Sequence, residues 1–468
     1  MNPSVSDRSQ PSGVFSLHKA AHDPRAAALV AIAQVLAGDV ESQAALDHAL
    51  SSPGLVPSDK RLCTELVYGQ LRWHVRLEFF MHCFLSRPDK LPGEMRLAME
   101  QALYSMAFSR IPHRAAVHWA VEHVRNRFGQ SMAKVANGAL RSMQRSLNDF
   151  ENLEFYRNKL GGEEGTATYF SVPAWIYRLW HKEYGEEKTR RFLEASLQGP
   201  PQGVRLNRAR PGWEAALGRL REEAGNGVRR IGECMLAFEG HVPFFVKKML
   251  EEGSASRQSA ASFSIVSACN PLSWPQPLWD CCSGRGGKTM ALLEANIPVA
   301  LASDPSSGRL EALSEEYARL KLQSPPCPRV MNITADAENI DFSAAESKLP
   351  GSSDLVVDGR FGTVLVDAPC SGLGTLARHP EIRFRRKESA CAELAAIQKR
   401  ILEAVWPRII GGGKLVYITC TVNPDENELQ IADFLKRHPD SFLAGEFLPD
   451  ADTPLREFFY AAVIGKNR

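Results

Sequence analysis

Two stretches near the C-terminal end each place a cysteine after a run of apolar, β-favouring residues. Residues 364–372 read VLVDAPCSG and contain Cys370, and residues 415–421 read LVYITCT and contain Cys420. Ligands and chemistry collect at the carboxyl ends of strands in an open α/β sheet, so two thiols there predict covalent sulfur chemistry. The alternative is a pair of structural cysteines, since free cysteine is among the most buried residue types.

A glycine-rich turn precedes these two stretches. Residues 280–289 read DCCSGRGGKT, follow a short apolar strand and open a helix. Glycines let a ligand approach the backbone closely, and the start of a helix offers free N–H groups. Cys282 stands where a Walker P-loop requires its first glycine, which disfavours ATP hydrolysis. The turn is therefore a candidate ligand-binding loop of another kind.

Two acids follow the next two predicted strands. Asp304 stands about 20 residues beyond the glycine turn, where an acid is expected to hydrogen-bond the ribose of a nucleoside-containing cofactor. Asp336 follows the third strand and is expected to meet an adenine amino group. Taken alone, each acid is also explained as a helix cap or a surface residue. NAD and S-adenosylmethionine both fit the arrangement, but the chain lacks a clean G-x-G-x-x-G, which disfavours NAD.

The elements that must position these residues alternate between strands and helices, which predicts an α/β fold with a doubly wound parallel sheet. The predicted strands are residues 278–279, 299–303, 329–333, 362–366 and 414–418. The predicted helices are residues 290–295, 309–322 and 392–410, the last of them stopped by the glycines at 411–413.

The N-terminal part has helical apolar periodicity without strand-like alternation. Its first helix is predicted to start at Pro24 and stop near Gly38, and Ser58–Asp59 are predicted to cap the second. The polar, glycine-rich residues 150–170 predict a linker. Beyond it, a small α+β segment is predicted from strands at residues 204–207 and 235–238 and a helix at residues 213–224.

Three segments together resemble the RNA cytosine-5 methyltransferases of the NOL1/NOP2/Sun family. They are DAPCSGLG at 367–374, RHPEIR at 378–383 and YITCTVNPDENE at 417–428. The glycine turn resembles the S-adenosylmethionine motif of that family, and the resemblance spans about residues 255–465. Residues 67–72 and 137–141 resemble a NusB-like RNA-binding domain.

The resemblance implies a role for each cysteine. C5 of cytosine is a poor nucleophile, and a thiolate that adds at C6 turns the ring into an enamine-like species that accepts a methyl group at C5. Cys420 corresponds to the nucleophile, Cys370 to the residue implicated in product release, and Asp367 to a residue that supports the ring through its N3/N4 edge. The target base must be unstacked to reach such a site.

The implied ligand contacts fall into two groups, and no metal is expected. The first group would hold S-adenosylmethionine: Cys282, Ser283, Gly284, Arg285, Gly286, Gly287, Lys288, Asp304, Arg309, Asp336 and Asp367. The second group is expected to clamp RNA phosphates, although a solvated basic loop is the alternative: Arg378, His379, Arg383 and Arg385.

Three positions depart from the family pattern. Gly284-Arg285 replaces an Ala-Pro pair, Ser259 follows Gln258 where acids are common, and Leu455–Glu457 replaces an Asp-Gly pair.

Two other functions are alternatives to RNA cytosine-5 methylation. A DNA cytosine-5 methyltransferase that attacks through Cys370 lacks support, because its Pro-Cys-Gln signature is missing. A non-catalytic RNA-binding or assembly factor is disfavoured by the retained acids and cysteines.

Composition sets the remaining expectations. The 468 residues are 44% hydrophobic and 24% charged with a formal net charge of +2, so any RNA surface must be local. Ten cysteines without a CxxC pair, and no apolar run near the about 20 residues of a membrane span, predict a cytoplasmic protein that binds no membrane. We expect a monomer that acts on small-subunit rRNA. The expected parts are a flexible tail (1–23), a helical NusB-like RNA-binding domain (24–150), a small α+β linking domain (165–255) and a Rossmann-like methyltransferase domain (256–468).

Overall fold

The computed structural model describes residues 22–240, 242–322, 329–331 and 359–468. The chain forms two compact units. The helical unit extends to Leu197 and also contains His379–Lys387, and the sheet unit comprises Gln198–Arg378 and Glu388–Arg468. None of the helices in these described ranges is long and apolar enough to cross a membrane.

Nine α-helices of the helical unit lie before residue 198 within the described ranges. They are α1 Pro24–Ala37, α2 Ser42–Leu50, α3 Pro57–His82, α4 Gly93–Phe108, α5 His113–Arg145, α6 Leu147–Phe150, α7 Leu153–Leu160, α8 Gly162–Tyr169 and α9 Ala174–Ser196. The prediction for α1 is confirmed, because Pro24 opens it and Gly38 caps it in the left-handed region with φ 90°. Gly129 interrupts α5 with φ 83°.

Two predictions about this unit are wrong. The expected linker at 150–170 forms α7 and α8. These helices pack so closely that a Cβ on Gly165 would lie 2.6 Å from the backbone of Arg157. Helix α3 starts at Pro57 rather than after a Ser58–Asp59 cap. The carboxylate of Asp59 instead accepts the backbone N–H of Val56, at 3.3 Å, from inside the first turn.

The sheet unit begins with a small antiparallel sheet in the order β2-β3-β1-β4. Its strands are β1 Gln202–Leu206, β2 Val228–Ile231, β3 Met235–Phe238 and β4 Ala255–Arg257, with helices α10 Trp213–Ala224 and α11 Val246–Glu251. The predicted strands at 204–207 and 235–238 and the helix at 213–224 are confirmed.

A seven-stranded sheet in the order β10-β11-β9-β8-β5-β6-β7 carries the rest of the unit. Its strands are β5 Leu278–Asp280, β6 Leu301–Ser303, β7 Arg329–Met331, β8 Phe361–Asp367, β9 Ile409–Thr419, β10 Ser441–Phe447 and β11 Tyr460–Lys466. Its helices are α12 Ala260–Ala268, α13 Gly287–Glu294, α14 Ser307–Leu320, α16 Glu388–Val405 and α17 Glu428–Arg437. The short helix α15, Ile382–Arg385, lies between α14 and α16 in the chain but belongs to the helical unit.

The predicted Rossmann-like parallel sheet is confirmed for β5 to β9, which pair with one another in parallel. Two features were not predicted. Strands β10 and β11 add an antiparallel edge, and the glycines at 411–413 lie inside β9, while α16 already ends at Val405. Glycine at 413 lets β9 approach β8 closely, because a Cβ there would lie 2.6 Å from the carbonyl oxygen of Gly362 on β8.

Candidate active site

The two cysteine loops meet at the carboxyl ends of β8 and β9. These strands are parallel neighbours with Asp367 opposite Ile418, so the loops that follow them lie side by side. The sulfur atoms of Cys370 and Cys420 are 3.3 Å apart, and the backbone N–H of Cys420 donates to the Cys370 sulfur at 3.4 Å. Both side chains are half-buried. The fold therefore joins two thiols that are 50 residues apart in the chain.

The two thiols of this pair are not equivalent. The hydrogen bond to Cys420 raises the pKa of the Cys370 thiol well above its ordinary value, and burial and the charges of Cys420 and Glu426 act in the same direction. The environment of Cys370 therefore favours its thiol form, within hydrogen-bond distance of the Cys420 sulfur.

A buried lysine faces the cysteine pair from the glycine turn. Lys288 is 8% exposed, and its Nζ donates to Oδ2 of Asp367 at 2.5 Å. Burial opposes the ammonium charge, but the charge and hydrogen bond of Asp367 and the charge of Cys420 outweigh it and raise the pKa of Lys288. Lys288 is therefore a fixed cation beside both Asp367 and Cys420.

A buried carboxylate holds both cysteine loops. Glu426 is fully buried, and its Oε2 accepts the backbone N–H of Ser371 at 2.8 Å and the amide of Gln398 at 3.0 Å. Its Oε1 accepts the amide of Asn423 at 2.9 Å. Ser371 follows Cys370 and Asn423 follows Cys420 by three residues, so one side chain fixes the loops that carry both thiols.

The glycine turn is bonded to the tip of β6. The Ser283 backbone N–H donates to the Ser303 carbonyl at 2.9 Å, and the Gly284 N–H donates to Oδ2 of Asp304 at 3.1 Å. Gly286 caps α13 with φ 84°, and a Cβ on it would lie 2.8 Å from the Leu313 side chain. Glycine is required at this position both for its backbone conformation and for packing.

The turn, Asp304 and α16 enclose a cleft of about 260 Å³. Its lining includes Asp304 and Arg309 and the apolar α16 side chains of Ile397, Ile401 and Val405. Asp304 is 3% exposed, and each of its oxygens accepts one backbone N–H, from Gly284 or Ser306, which leaves further lone pairs. An acid beside an apolar slot fits a ribose joined to a flat base.

Arg205 of the small sheet anchors the glycine turn from behind. Its guanidinium is 1% exposed, pairs with Glu294 at 2.7 Å and donates to the carbonyl of Gly287 at 3.0 Å. Gln258 donates to the same carbonyl at 3.2 Å. A buried ion pair of this kind is costly to break from one side, so the start of α13 is held firmly.

Asp280 is a second buried acid at the end of β5. It is 1% exposed, its Oδ2 accepts the hydroxyl of Thr289 at 2.6 Å, and its Oδ1 has no hydrogen-bond partner among the described residues. Burial, supported by the charges of Asp367 and Asp304, raises its pKa from 3.8 to about 7. The folded protein therefore binds a proton here that the unfolded chain releases.

We expect Asp280→Asn to remove a pH dependence of stability. Between about pH 4 and pH 7 the folded wild-type state binds more protons than the unfolded state, so its stability falls with rising pH by up to about 1.4 kcal/mol per unit. The asparagine cannot titrate, so the Tm of the variant should gain on the wild type as pH rises to about 7. The exposed Asp425→Asn variant is the control. A constant Tm difference across this range would contradict the prediction.

Two of the departures from the family pattern meet in space. Glu457 is 3% exposed, accepts the hydroxyl of Ser259 at 2.8 Å and forms two hydrogen bonds with Arg378, at 2.8 and 2.6 Å. Glu457, from the segment 455–459, therefore places a carboxylate against Ser259, the position after Gln258 at which acids are common in the family. Its carboxylate neutralises Arg378.

The structure corrects the predicted RNA clamp. Arg383 is 1% exposed and donates to the backbone and hydroxyl of Ser196, and Arg385 donates to the carbonyls of Val35 and Val40. These two guanidinium groups are used inside the helical unit, so the clamp prediction is wrong for them. Arg378 is paired with Glu457, and the side chain of His379 is 41% exposed.

The remaining predicted residues are placed as follows. Cys282, Gly284, Asp304, Arg309 and Asp367 line the cleft, and Ser283, Gly286 and Lys288 support it from the turn. Arg285 and Gly287 are exposed, and Asp336 lies outside the described residues. Within the described ranges, no three His, Cys, Asp or Glu side chains are grouped to hold a metal ion.

Asp280, Glu426 and Arg205 were not predicted as functional residues from the sequence. Asp280 carries the same signal as Asp304, an acid at the end of a predicted strand. Glu426 stands six residues after Cys420, within the segment that carried the resemblance. Arg205 lies inside a predicted strand, and an arginine flanked by Val204 and Leu206 in a buried strand signals a paired guanidinium.

Two family profiles match the chain in the order that the fold shows. The NusB family matches residues 22–145, and the family described as 16S rRNA methyltransferase RsmB/F matches residues 272–453. Ribosomal RNA small subunit methyltransferase B of Citrobacter koseri is 31% identical over 423 residues, which cover 87% of this chain and 91% of the relative. The protein of the same name from Yersinia pseudotuberculosis is 30% identical over 470 residues, covering 96% and 100%.

Solved structures share the fold. The crystal structure of PH0851 covers 95% of this chain and 99% of its own, with a TM-score of 0.68 and 21% identity. NSun6 from Pyrococcus horikoshii with SFG covers 63% of this chain and 98% of its own, with a TM-score of 0.50 and 17% identity. The resemblance drawn from the sequence motifs is confirmed by the relatives, and the chain belongs to the RsmB/F family of 16S rRNA methyltransferases.

Proposed function

We propose that the protein transfers a methyl group from S-adenosylmethionine to C5 of a cytosine in 16S rRNA, through a covalent bond between Cys420 and C6. The observation that carries this proposal is the contact of the Cys370 and Cys420 sulfurs at 3.3 Å, beside the Lys288–Asp367 pair. The names of the bacterial relatives support small-subunit rRNA as the substrate.

The cleft is the proposed cofactor site. Asp304 would accept the ribose hydroxyls, the apolar side chains of α16 would contact the adenine, and the glycine turn would hold the remainder. When bound, S-adenosylmethionine would supply an electrophilic methyl group to C5, with the electron pair of the broken sulfur–methyl bond staying on sulfur, which leaves as a neutral thioether. A structural neighbour with SFG, an analogue of this cofactor, agrees with the proposal.

The first chemical step falls to Cys420. Its thiolate forms a bond to C6, and the electrons of the C5–C6 double bond move into the ring and make C5 nucleophilic. Asp367, whose side chain is 34% exposed, accepts a hydrogen bond from the N4 amino group of the cytosine. Lys288 holds Asp367 in place and offsets negative charge in the site.

Release of the product falls to Cys370. While Cys420 is bonded to C6 its sulfur is an uncharged thioether, so the thiol hydrogen bond and the charge of Cys420 no longer raise the pKa of Cys370. Cys370 then gives its proton to solvent and, as a thiolate, accepts the proton from C5. The electrons of the C5–H bond restore the C5–C6 double bond, and the C6–sulfur bond breaks to return the Cys420 thiolate.

We expect Glu426→Gln to slow methyl transfer about a hundredfold, because small displacements of reacting groups have effects of this size. The new amide nitrogen would face the donors on Ser371 or Asn423 and push the two cysteine loops apart. The KM for the cofactor should change little, since Glu426 does not line the cleft. Rates of tritium transfer should be compared with those of the exposed α16 variant Glu393→Gln, and a wild-type rate for Glu426→Gln would refute its positioning role.

The proposed function is tested with tritiated S-adenosylmethionine and 16S rRNA from a strain that lacks the gene. We expect tritium in the RNA and a single cytosine protected from bisulfite conversion, and no tritium in DNA of the same sequence. A non-catalytic assembly factor would bind the RNA without transferring tritium. Methylation at a position that leaves every cytosine convertible would overturn the assignment to C5.

A further inference from the structure

A groove in the helical unit is lined by the two arms of α5. Residues 113–128 and 130–145 form the arms, and Gly129 breaks the helix between them with φ 83° and ψ 177°. The cavity between the arms measures about 340 Å³. We call it the α5 groove, and its basic side chains are Arg114, His118, Arg125, Lys134 and Arg141.

The groove has an apolar floor and a basic rim. Val117, Val121 and Ala133 are at most 8% exposed and form the floor. Arg114 and Lys134, one on each arm, are exposed and stand above it. The break at Gly129 is what turns the two arms toward one cavity, because glycine adopts this positive φ without strain.

The charge of this helix is strongly one-sided. Residues 113–145 contain six arginines and lysines and a single acid, Glu122, although the whole chain has a net charge of only +2. Glu122 is already paired with Arg125, which also donates to Gln130 across the break at 2.9 Å. The only carboxylate of the segment is therefore occupied within the groove.

Three basic side chains of the groove have no hydrogen-bond or ion-pair partner among the described residues. The side chains of Arg114, His118 and Lys134 form no hydrogen bond or ion pair with any residue in the described ranges. Arg141 has one contact, to Gln144 at 3.2 Å on its own helix. Exposed cations without partners are free to bind an external anion.

The arrangement of the cations favours an extended polyanion. Lys134 and Arg141 are seven residues apart on one arm, which corresponds to about 10 Å along a helix. Arg114 and His118 occupy the opposite arm. Cations spread along two sides of an open groove suit a chain of phosphates better than a single small anion, which is bound by groups that converge on one point.

We propose that the α5 groove binds the sugar-phosphate backbone of the RNA substrate. The proposal rests on the proposed function and adds a specific contact surface to it. Contacts of this kind position RNA without reading its sequence, and they make binding depend on salt concentration. The groove replaces Arg383 and Arg385, whose guanidinium groups bind carbonyls of the helical unit, as the expected site of phosphate contacts.

The test is a triple charge reversal in the full chain, Arg114→Glu with Lys134→Glu and Arg141→Glu. Because all three side chains are exposed, the Tm should be close to that of the wild type. The control reverses three exposed cations elsewhere in the helical unit, Lys60→Glu with Arg61→Glu and Lys188→Glu. Both variants change the net charge equally, so they separate a local site from a general charge effect.

Fluorescence anisotropy with a labelled 16S rRNA fragment would give the Kd over a range of salt concentrations. We expect the groove variant to raise Kd at least about tenfold and to lower the slope of log K against log salt by about 2 to 3, for three lost phosphate contacts. The control should stay close to the wild type. Equal effects of the two variants, an unchanged slope, or competition by polyglutamate as strong as by unlabelled RNA would overturn the proposal.

The two proposals fail in different ways. If the wild type methylates rRNA and the groove variant binds RNA as the wild type does, the groove proposal alone is wrong. If the groove variant loses RNA affinity while the wild type transfers no methyl group, the proposed function alone is wrong.

Discussion

Replacing Cys420 with alanine should abolish methyl transfer, with a fall in kcat of at least about 10⁴-fold, as found when covalent nucleophiles are removed from enzymes. The reason is chemical, since C5 of cytosine becomes reactive only after a nucleophile adds at C6. Cys420 corresponds to the nucleophile of the family, and the hydrogen bond to Cys420 together with burial raises the pKa of the Cys370 thiol. Single-turnover transfer of tritium to rRNA would measure the effect.

The matched variant Cys370→Ala should behave differently. It keeps the attacking thiol but loses the group that accepts the C5 proton, so protein and RNA should accumulate as a covalent complex on denaturing gels. The exposed Cys83→Ala variant should act as the wild type. Full methylation by Cys420→Ala together with no activity and no complex in Cys370→Ala would reverse the assigned roles.

Replacing Lys288 with methionine should lower kcat about 10²- to 10³-fold, the range found when a preorganised electrostatic contact is lost. Methionine fills the same space but leaves Asp367 without its cation and removes the positive charge beside Cys420. The KM for RNA should change little, because Lys288 is 8% exposed and its Nζ is paired with Asp367 rather than open to solvent. Steady-state kinetics with rRNA as the varied substrate would separate the two parameters.

Two further variants define what the Lys288 result means. Lys288→Arg keeps the charge but not the compact ammonium, so it should restore part of the rate. Lys399→Met removes a lysine that pairs with Asp433 at 3.0 Å on an exposed surface, and it should have no effect. A kcat of Lys288→Met within about twofold of the wild type would show that the cation is not needed, since an electrostatic contact is worth far more.

The part of the site that the sequence predicted is the part built from local patterns. Cys370, Cys420 and Asp304 were each found because they end a short apolar run, and parallel neighbours bring such ends to one edge of a sheet. The strands β5 to β9 were found for the same reason. These signals need no knowledge of distant residues.

The arginines of the expected clamp show what local patterns cannot reveal. A basic run such as 378–387 is typical of a solvated or RNA-facing loop, but Arg383 donates to Ser196, which is 187 residues away. Arg385 meets Val35, 350 residues away. Whether a guanidinium is exposed depends on the carbonyl groups the fold brings to it, and no spacing within the run encodes them.

The glycines led to a second kind of wrong prediction, in which a close contact was taken for a break in the chain. A triplet at 411–413 and a glycine-rich stretch at 161–165 both read as breaks, but Gly413 and Gly165 are there to admit a neighbouring backbone at 2.6 Å. The same residue type serves as a turn at Gly286 and as a close contact at Gly413. Only the packing partner separates the two uses, and it lies elsewhere in the chain.

The central claim, that Cys420 bonds to C6 of the target cytosine, is tested most directly with RNA that carries fluorine at C5 of that cytosine. A base removes hydrogen from C5 as a proton but cannot remove fluorine as a cation. The methylated ring should therefore stay bonded to the enzyme in a complex that requires S-adenosylmethionine. Peptide mass spectrometry of this complex should place the nucleotide on Cys420, and the Cys420→Ala protein should give no complex. A nucleotide attached to Cys370, or no complex from an enzyme that methylates ordinary rRNA, would contradict the account.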